Sequence, residues 1–100
     1  MFELGKYHWQ MNHATIELKC QHFPSQERAI DIAKKWLTQI DCRISDISLG
    51  ADRAQIQFMS GLDTFIFCFD GTCEALWIEV TGQADSTTCS NLLAKLDTIQ

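Results

Sequence analysis

From Ile47 to Val80 apolar and polar residues alternate along successive short segments separated by turn-forming residues, which is the period of extended strands in an antiparallel meander. The first segment carries Ile47 and Leu49 in one phase, while Ile44 falls in the other. A bulge at Ser45-Asp46 would let both sets face the same side. Gly50-Ala51-Asp52-Arg53 turns the chain into a strand over 54–59, with Ala54, Ile56 and Phe58 alternating with Gln55 and Gln57. Ser60-Gly61 turns again, and the strand over 64–69 sends Phe65, Phe67 and Phe69 to one side and Ile66 and Cys68 to the other. With both sides apolar, that strand belongs in the middle of a sheet. Asp70-Gly71 predicts a two-residue hairpin, since a type I′ turn needs positive φ at both central residues. The returning strand over 76–81 puts Leu76, Ile78 and Val80 on the phenylalanine side and Trp77 and Glu79 opposite.

Two stretches switch to the helical period. Ala29, Ile30, Ala33, Trp36, Leu37 and Ile40 form one stripe, with Glu27, Asp31, Lys34, Lys35 and Gln39 outside it. Pro24 suits the entrance of that helix, because the first turn has no use for the missing N–H. Cys89, Leu92, Leu93, Leu96 and Ile99 mark a second helix capped by Asp85 or Ser86. Before the first helix, Ile16, Leu18, Cys20 and His22 alternate with polar residues in a strand over 14–22. The preceding residues, 1–13, read as an edge strand ending in a turn at Met11-Asn12-His13.

The elements predict a single α+β domain over residues 1–100: an antiparallel four- to six-stranded sheet in the order β-α-β-β-β-β-α, with two helices packed on one face. The strand over 14–22 fits either parallel beside the Ile44 strand, through a right-handed crossover, or antiparallel at the far edge. Helices on a single side leave Met59, Ile66, Cys68, Ala75, Trp77 and Glu79 with no covering element in the sequence. An apolar sheet face of this kind is covered by the N-terminal segment, by a second copy of the chain, or by another partner or ligand. The leading reading is therefore a non-enzymatic interaction module, homodimeric or partner-binding, with Met59, Ile66, Cys68, Trp77 and Glu79 as its interface.

Composition narrows the alternatives. The chain is 46% hydrophobic and 21% charged, ordinary for a globular domain that folds without staples, and its net charge is −5. That charge disfavours phosphate backbones and anionic lipid headgroups, so nucleic acid and membrane surfaces are poor partners. The longest purely apolar run, Phe65 to Phe69, is far short of the roughly 20 residues a spanning helix needs. No apolar signal segment is visible near the start, which makes the cytoplasm the default location.

Five cysteines, Cys20, Cys42, Cys68, Cys73 and Cys89, show no CxxC and no zinc-finger spacing, and packed, reduced thiols are the expectation. A tight hairpin at Asp70-Gly71 would set Cys68 across from Cys73 at close range, which supplies the rival function, a thiol-dependent redox protein or enzyme using Cys68 and Cys73. A longer loop removes that pairing. Cys20-x-His22 would place a thiol and an imidazole on one strand face, within reach of a metal or of a Cys-His nucleophile pair, but a packed cysteine and a histidine at the strand exit are the favoured reading. Lys6-Tyr7-His8-Trp9 interleaves bases with aromatics, yet the acidic surroundings favour a surface strand or a lid over base stacking. Glu79 is the one carboxylate that an apolar face would desolvate. No metal set and no phosphate-cradling glycine motif is present, so no cofactor is assigned.

Overall fold

The computed structural model describes residues 7–12, 15–20, 22–81 and 86–98. The elements are β1 (Tyr7–Asn12), β2 (Thr15–Cys20), α1 (Gln26–Gln39), β3 (Arg43–Leu49), β4 (Arg53–Ser60), β5 (Asp63–Asp70), β6 (Ala75–Val80) and α2 (Ser86–Leu96). All strands belong to one antiparallel sheet in the spatial order β1-β2-β6-β5-β4-β3. The α+β class therefore holds, with six strands. β2 takes the antiparallel place beside β6, and β1 forms the edge beyond it. The strand β1 also runs through Met11 and Asn12, which pair with Ile16 and Thr15, so these two residues are strand where a turn was expected. Phe2, Leu4, Lys6, His13, Asp85 and Ile99 lie outside the described residues.

The phase read from the sequence is the phase of the core. Ile16, Leu18, Ala54, Ile56, Phe58, Phe65, Phe67, Phe69, Leu76 and Ile78 are buried in one cluster with Ile30, Trp36 and Leu37 of α1 and Cys89, Leu92 and Leu96 of α2. Trp9 of β1 joins them at an edge-on contact with Trp36, ring centroids 4.7 Å apart. The register shift between Ile44 and Asp46 is the expected bulge, and Ile44 and Ile47 both pack against the core. Leu49 does not follow them, because β3 is an edge strand, and the side chain is 65% exposed.

Local chemistry fixes the ends of α1. Ser25, not Pro24, opens the helix: its Oγ accepts from the Arg28 N–H at 3.2 Å, and the buried Pro24 stands just outside the cap. At the other end Asp41 adopts φ +59°, the Asp41 N–H donates to Thr38 O at 3.2 Å and the Cys42 N–H donates to Leu37 O at 2.8 Å. This is a Schellman closure with an aspartate where glycine is usual.

The β5–β6 connection departs from the tight hairpin. Asp70 pairs with Ala75, so the loop spans Gly71 to Glu74, and positive φ falls on Glu74 (+52°) instead of on Gly71. The Asp70 carboxylate explains the longer turn. Its Oδ1 accepts from the Thr72 and Cys73 N–H groups at 3.0 and 3.1 Å, while the Gly71 N–H donates to Asp52 O at 2.7 Å. A side chain competing for backbone donors in this way offers an alternative to the primed turn.

Candidate functional site

Trp77 is the centre of the sheet surface that looks away from the core. β6 is flanked by β5 and β2, and its register sets Trp77 beside Cys68 on one side and Glu17 on the other. Side chains of this phase on β4, Arg53, Gln55 and Gln57, are exposed, whereas Ile66, Trp77 and Glu79 are half-buried against one another. The indole does not swing freely: Trp77 Nε1–H donates to Glu79 Oε1 at 2.7 Å, two residues along the same strand. Residues i and i+2 share a sheet face, and that alone makes the bond available.

Beneath the pair lies Cys68, only 4% exposed, with Sγ 3.8 Å from both Glu79 Oε1 and Ile66 O. Burial pushes its thiol up to about 12, and the adjacent Glu79 charge and the bond to Glu79 add to the shift. The shift favours the protonated, hydrogen-bond-donating form of the Cys68 thiol at neutral pH.

Two clefts flank the tryptophan. One, of about 560 Å³, lies between β2 and β6, with Leu18, Cys20, Phe23 and Leu76 at its base and Glu17, Lys19 and Glu74 at its rim. The other, of about 500 Å³, lies toward β4, lined among others by Ser48, Gln55, Arg53 and Asp70. An ion pair stands beside each: Lys19 Nζ is 3.1 Å from Glu17 Oε1, and Arg53 Nε is 3.4 Å from Asp70 Oδ2.

Of the residues the sequence singled out, the fold brings Ile66, Cys68, Trp77 and Glu79 into one contiguous patch. Met59 is half-exposed in the same phase, but it pairs with Thr64 and Arg43 and reaches Ile66 only diagonally, past Gln57. The described part of the N-terminal segment does not cross the patch, since β1 extends the sheet as its edge. The facing Cys68 and Cys73 pair is corrected by the register: Trp77 stands across from Cys68, and Cys73 sits exposed in the four-residue loop, both thiols free. Likewise Cys20 is half-buried while His22 follows the end of β2 and is exposed, so the two do not share a strand face. His8 occupies the exposed phase of β1 opposite Lys19. Glu17 and Lys19 read in the sequence as the wet side of their strand and Arg53 as the end of a turn, and none was joined to Trp77's side; β4 in fact begins at Arg53.

Among the described residues no cluster of His, Cys, Asp and Glu has the grouping a metal ion needs, and no helix is long and apolar enough to cross a membrane. A family model described as a protein of unknown function, DUF3630, matches residues 5–98. No curated protein and no solved structure matches the chain.

Proposed function

We propose, for a chain that belongs to the DUF3630 family of proteins of unknown function, a non-enzymatic interaction role in which the sheet face around Trp77 docks a second copy of the chain. The observation that carries the reading is the Trp77 indole, held by Glu79 at 2.7 Å between two clefts, because an aromatic already fixed in its bound rotamer loses little entropy on contact. Half-buried tryptophans with a satisfied N–H are typical anchors of protein interfaces. A second copy suits the face because its flanking charges, Lys19 with Glu17 and Arg53 with Asp70, are matched at home. These two ion pairs lower the net charge that two such faces bring together, although the whole molecule carries −5.

The thiol-dependent alternative would use Cys68 and Cys73. Against it stand a Cys68 thiol pushed up to about 12 and a ladder that gives Cys68 a tryptophan for a neighbour. Sedimentation velocity over a wide concentration range tests the docking reading. The wild type is expected to form a dimer, and Trp77→Asp to raise its dissociation constant at least about tenfold, the scale of losing one interface anchor. A wild type that stays monomeric at every concentration overturns it.

A further inference from the structure

β3 is the last strand of the sheet, so among the described residues its far side meets no other strand. Which backbone groups point that way follows from one bond. Gly50 N–H donates to Arg53 O at 2.7 Å, so Gly50 and Arg53 are a hydrogen-bonded pair. Alternation along the antiparallel ladder then bonds Ser48 to Gln55 and Asp46 to Gln57, and it turns the N–H and C=O groups of Ile47 and Leu49 away from β4. The other side of β4 agrees in phase. Gly71 N–H donates to Asp52 O at 2.7 Å, so the next residue, Arg53, turns its own groups toward β3.

Sheets commonly protect such an edge with a charge, a proline or a bulge. The bulge between Ile44 and Asp46 does so for the first half of β3. From Asp46 to Leu49 the ladder is regular, and it ends in a leucine that is 65% exposed. Open backbone groups and an apolar side chain without cover thus fall on the same short stretch.

We infer that this stretch pairs antiparallel with its own copy, β3 against the partner's β3, in a sheet continuous across two chains. Self-pairing has one register that fits. The bonding residues are Ile47 and Leu49, so a twofold axis can stand at Ile47, at Ser48 or at Leu49. At Ile47 it runs Leu49 onto the partner's Ser45, in the bulge, and at Leu49 it runs Ile47 onto the partner's Ala51, in the turn. At Ser48 each Ile47 meets the partner's Leu49, and both leucines gain an apolar neighbour on the helix side of the sheet. Asp46 then stands opposite the partner's Gly50, and Ser48 opposite the partner's Ser48, so no like charges are opposed. The axis is normal to the sheet, which makes this contact separate from docking across the open face and independent of it.

The experiment uses the full chain with Cys73→Ser, which removes the exposed native thiol, combined with Ser48→Cys. Cys73→Ser alone sets the background. In the inferred register the introduced thiols face each other at a non-hydrogen-bonded pair, with Cα atoms about 4.5 Å apart and within disulfide range. Oxidised glutathione is expected to link the chains at least about tenfold faster than when Gln10→Cys, exposed on the opposite edge, replaces Ser48→Cys, because a held pair meets at a raised effective concentration. Leu49→Asp should slow the linkage at least about tenfold by setting a carboxylate against an apolar neighbour. Trp77→Asp should leave the rate unchanged. Equal rates for Ser48→Cys and Gln10→Cys overturn the proposal in favour of random collision, and so does a rate indifferent to Leu49→Asp. Linkage lost with Trp77→Asp assigns the contact to the open face, which overturns edge pairing and leaves that docking standing. No linkage above background overturns it outright.

Discussion

Trp77 and Glu79, two residues apart on β6, are joined by an indole N–H donated to a carboxylate at 2.7 Å, and the same carboxylate oxygen lies 3.8 Å above the Cys68 sulfur. One acidic group thus orients the aromatic and receives the thiol below it. Glu79→Gln keeps an acceptor at this position and should leave the face intact. Glu79→Ala removes it, and the expected loss is about 1–2 kcal/mol of stability, the scale of a hydrogen bond to a charged group. Urea unfolding measures the loss, and a blue-to-red shift in tryptophan emission reports an indole released to water. An Ala variant as stable as Gln would show that the bond holds nothing in place.

Thiol accessibility follows the same geometry. Cys73 is exposed, Cys20 and Cys42 are half-buried with thiols raised by burial, and Cys68 and Cys89 are buried. Reaction with a disulfide reagent near pH 8 should therefore show one fast thiol, Cys73, with Cys20 and Cys42 slower and Cys68 and Cys89 released only on unfolding. Cys73→Ser should delete the fast phase. Coordinated loss of two thiols on mild oxidation would instead revive a Cys68 and Cys73 couple.

Asp70 ties the β5–β6 loop to the sheet, and it predicts an acid limb. The Cys73 N–H, then Arg53 and the Thr72 N–H, hold its carboxyl below the usual carboxylate range in spite of some desolvation. Its folded value is thus lower than its unfolded one, so its contribution is complete above the unfolded value and is lost as pH falls through the folded one. Asp70→Asn should flatten the decline of melting temperature below about pH 4, where free aspartate titrates. An unchanged acid limb would place the titrating group elsewhere.

Much of this architecture is legible in the sequence because side-chain period reports burial directly. The alternation through Ala54, Ile56 and Phe58 and through Phe65, Phe67 and Phe69 names the core face, and the phase slip at Ser45 names the bulge. What failed was turn chemistry. Asp70-Gly71 reads as a two-residue hairpin from backbone preference alone, but the Asp70 side chain captures two N–H groups and lengthens the loop, which separates Cys68 from Cys73. The cleft lined by β2 and β6 was also hidden, since which strands lie side by side depends on pairing between segments distant in sequence. Leu49 marks a third limit: alternation gives its direction, but not that nothing stands over the edge strand.

The Schellman closure of α1 carries a correctable strain. Asp41 sits at φ +59° with both closure bonds formed, so the left-handed conformation is held by the fold. Glycine adopts that region without the Cβ penalty that aspartate meets. Asp41→Gly should therefore stabilise the protein by about 0.5–1 kcal/mol, and Asp41→Val should destabilise it by more than that, because a β-branched residue is disfavoured there. Thermal unfolding of the two variants gives the comparison, and a glycine variant less stable than wild type would mean that the aspartate side chain contributes more than its backbone costs.

The sharpest test of the two-faced sheet compares neighbours on β5. Phe67 is 1% exposed within the core, and Ile66, one residue away, is half-buried on Trp77's side. Truncating Phe67 to Ala removes a ring that no neighbouring group can replace, and the expected cost is about 3–5 kcal/mol, enough to unfold a domain of ordinary stability. Truncating Ile66 leaves the core untouched. It should cost less than about 1.5 kcal/mol, since only part of its surface is withdrawn from water in the single chain. If the open face docks a second copy, Ile66→Ala weakens the dimer more than it destabilises the monomer, and the two effects separate when urea unfolding is followed at several protein concentrations. Equal costs at both positions would mean that the faces are not distinct, and the docking surface would have no physical basis.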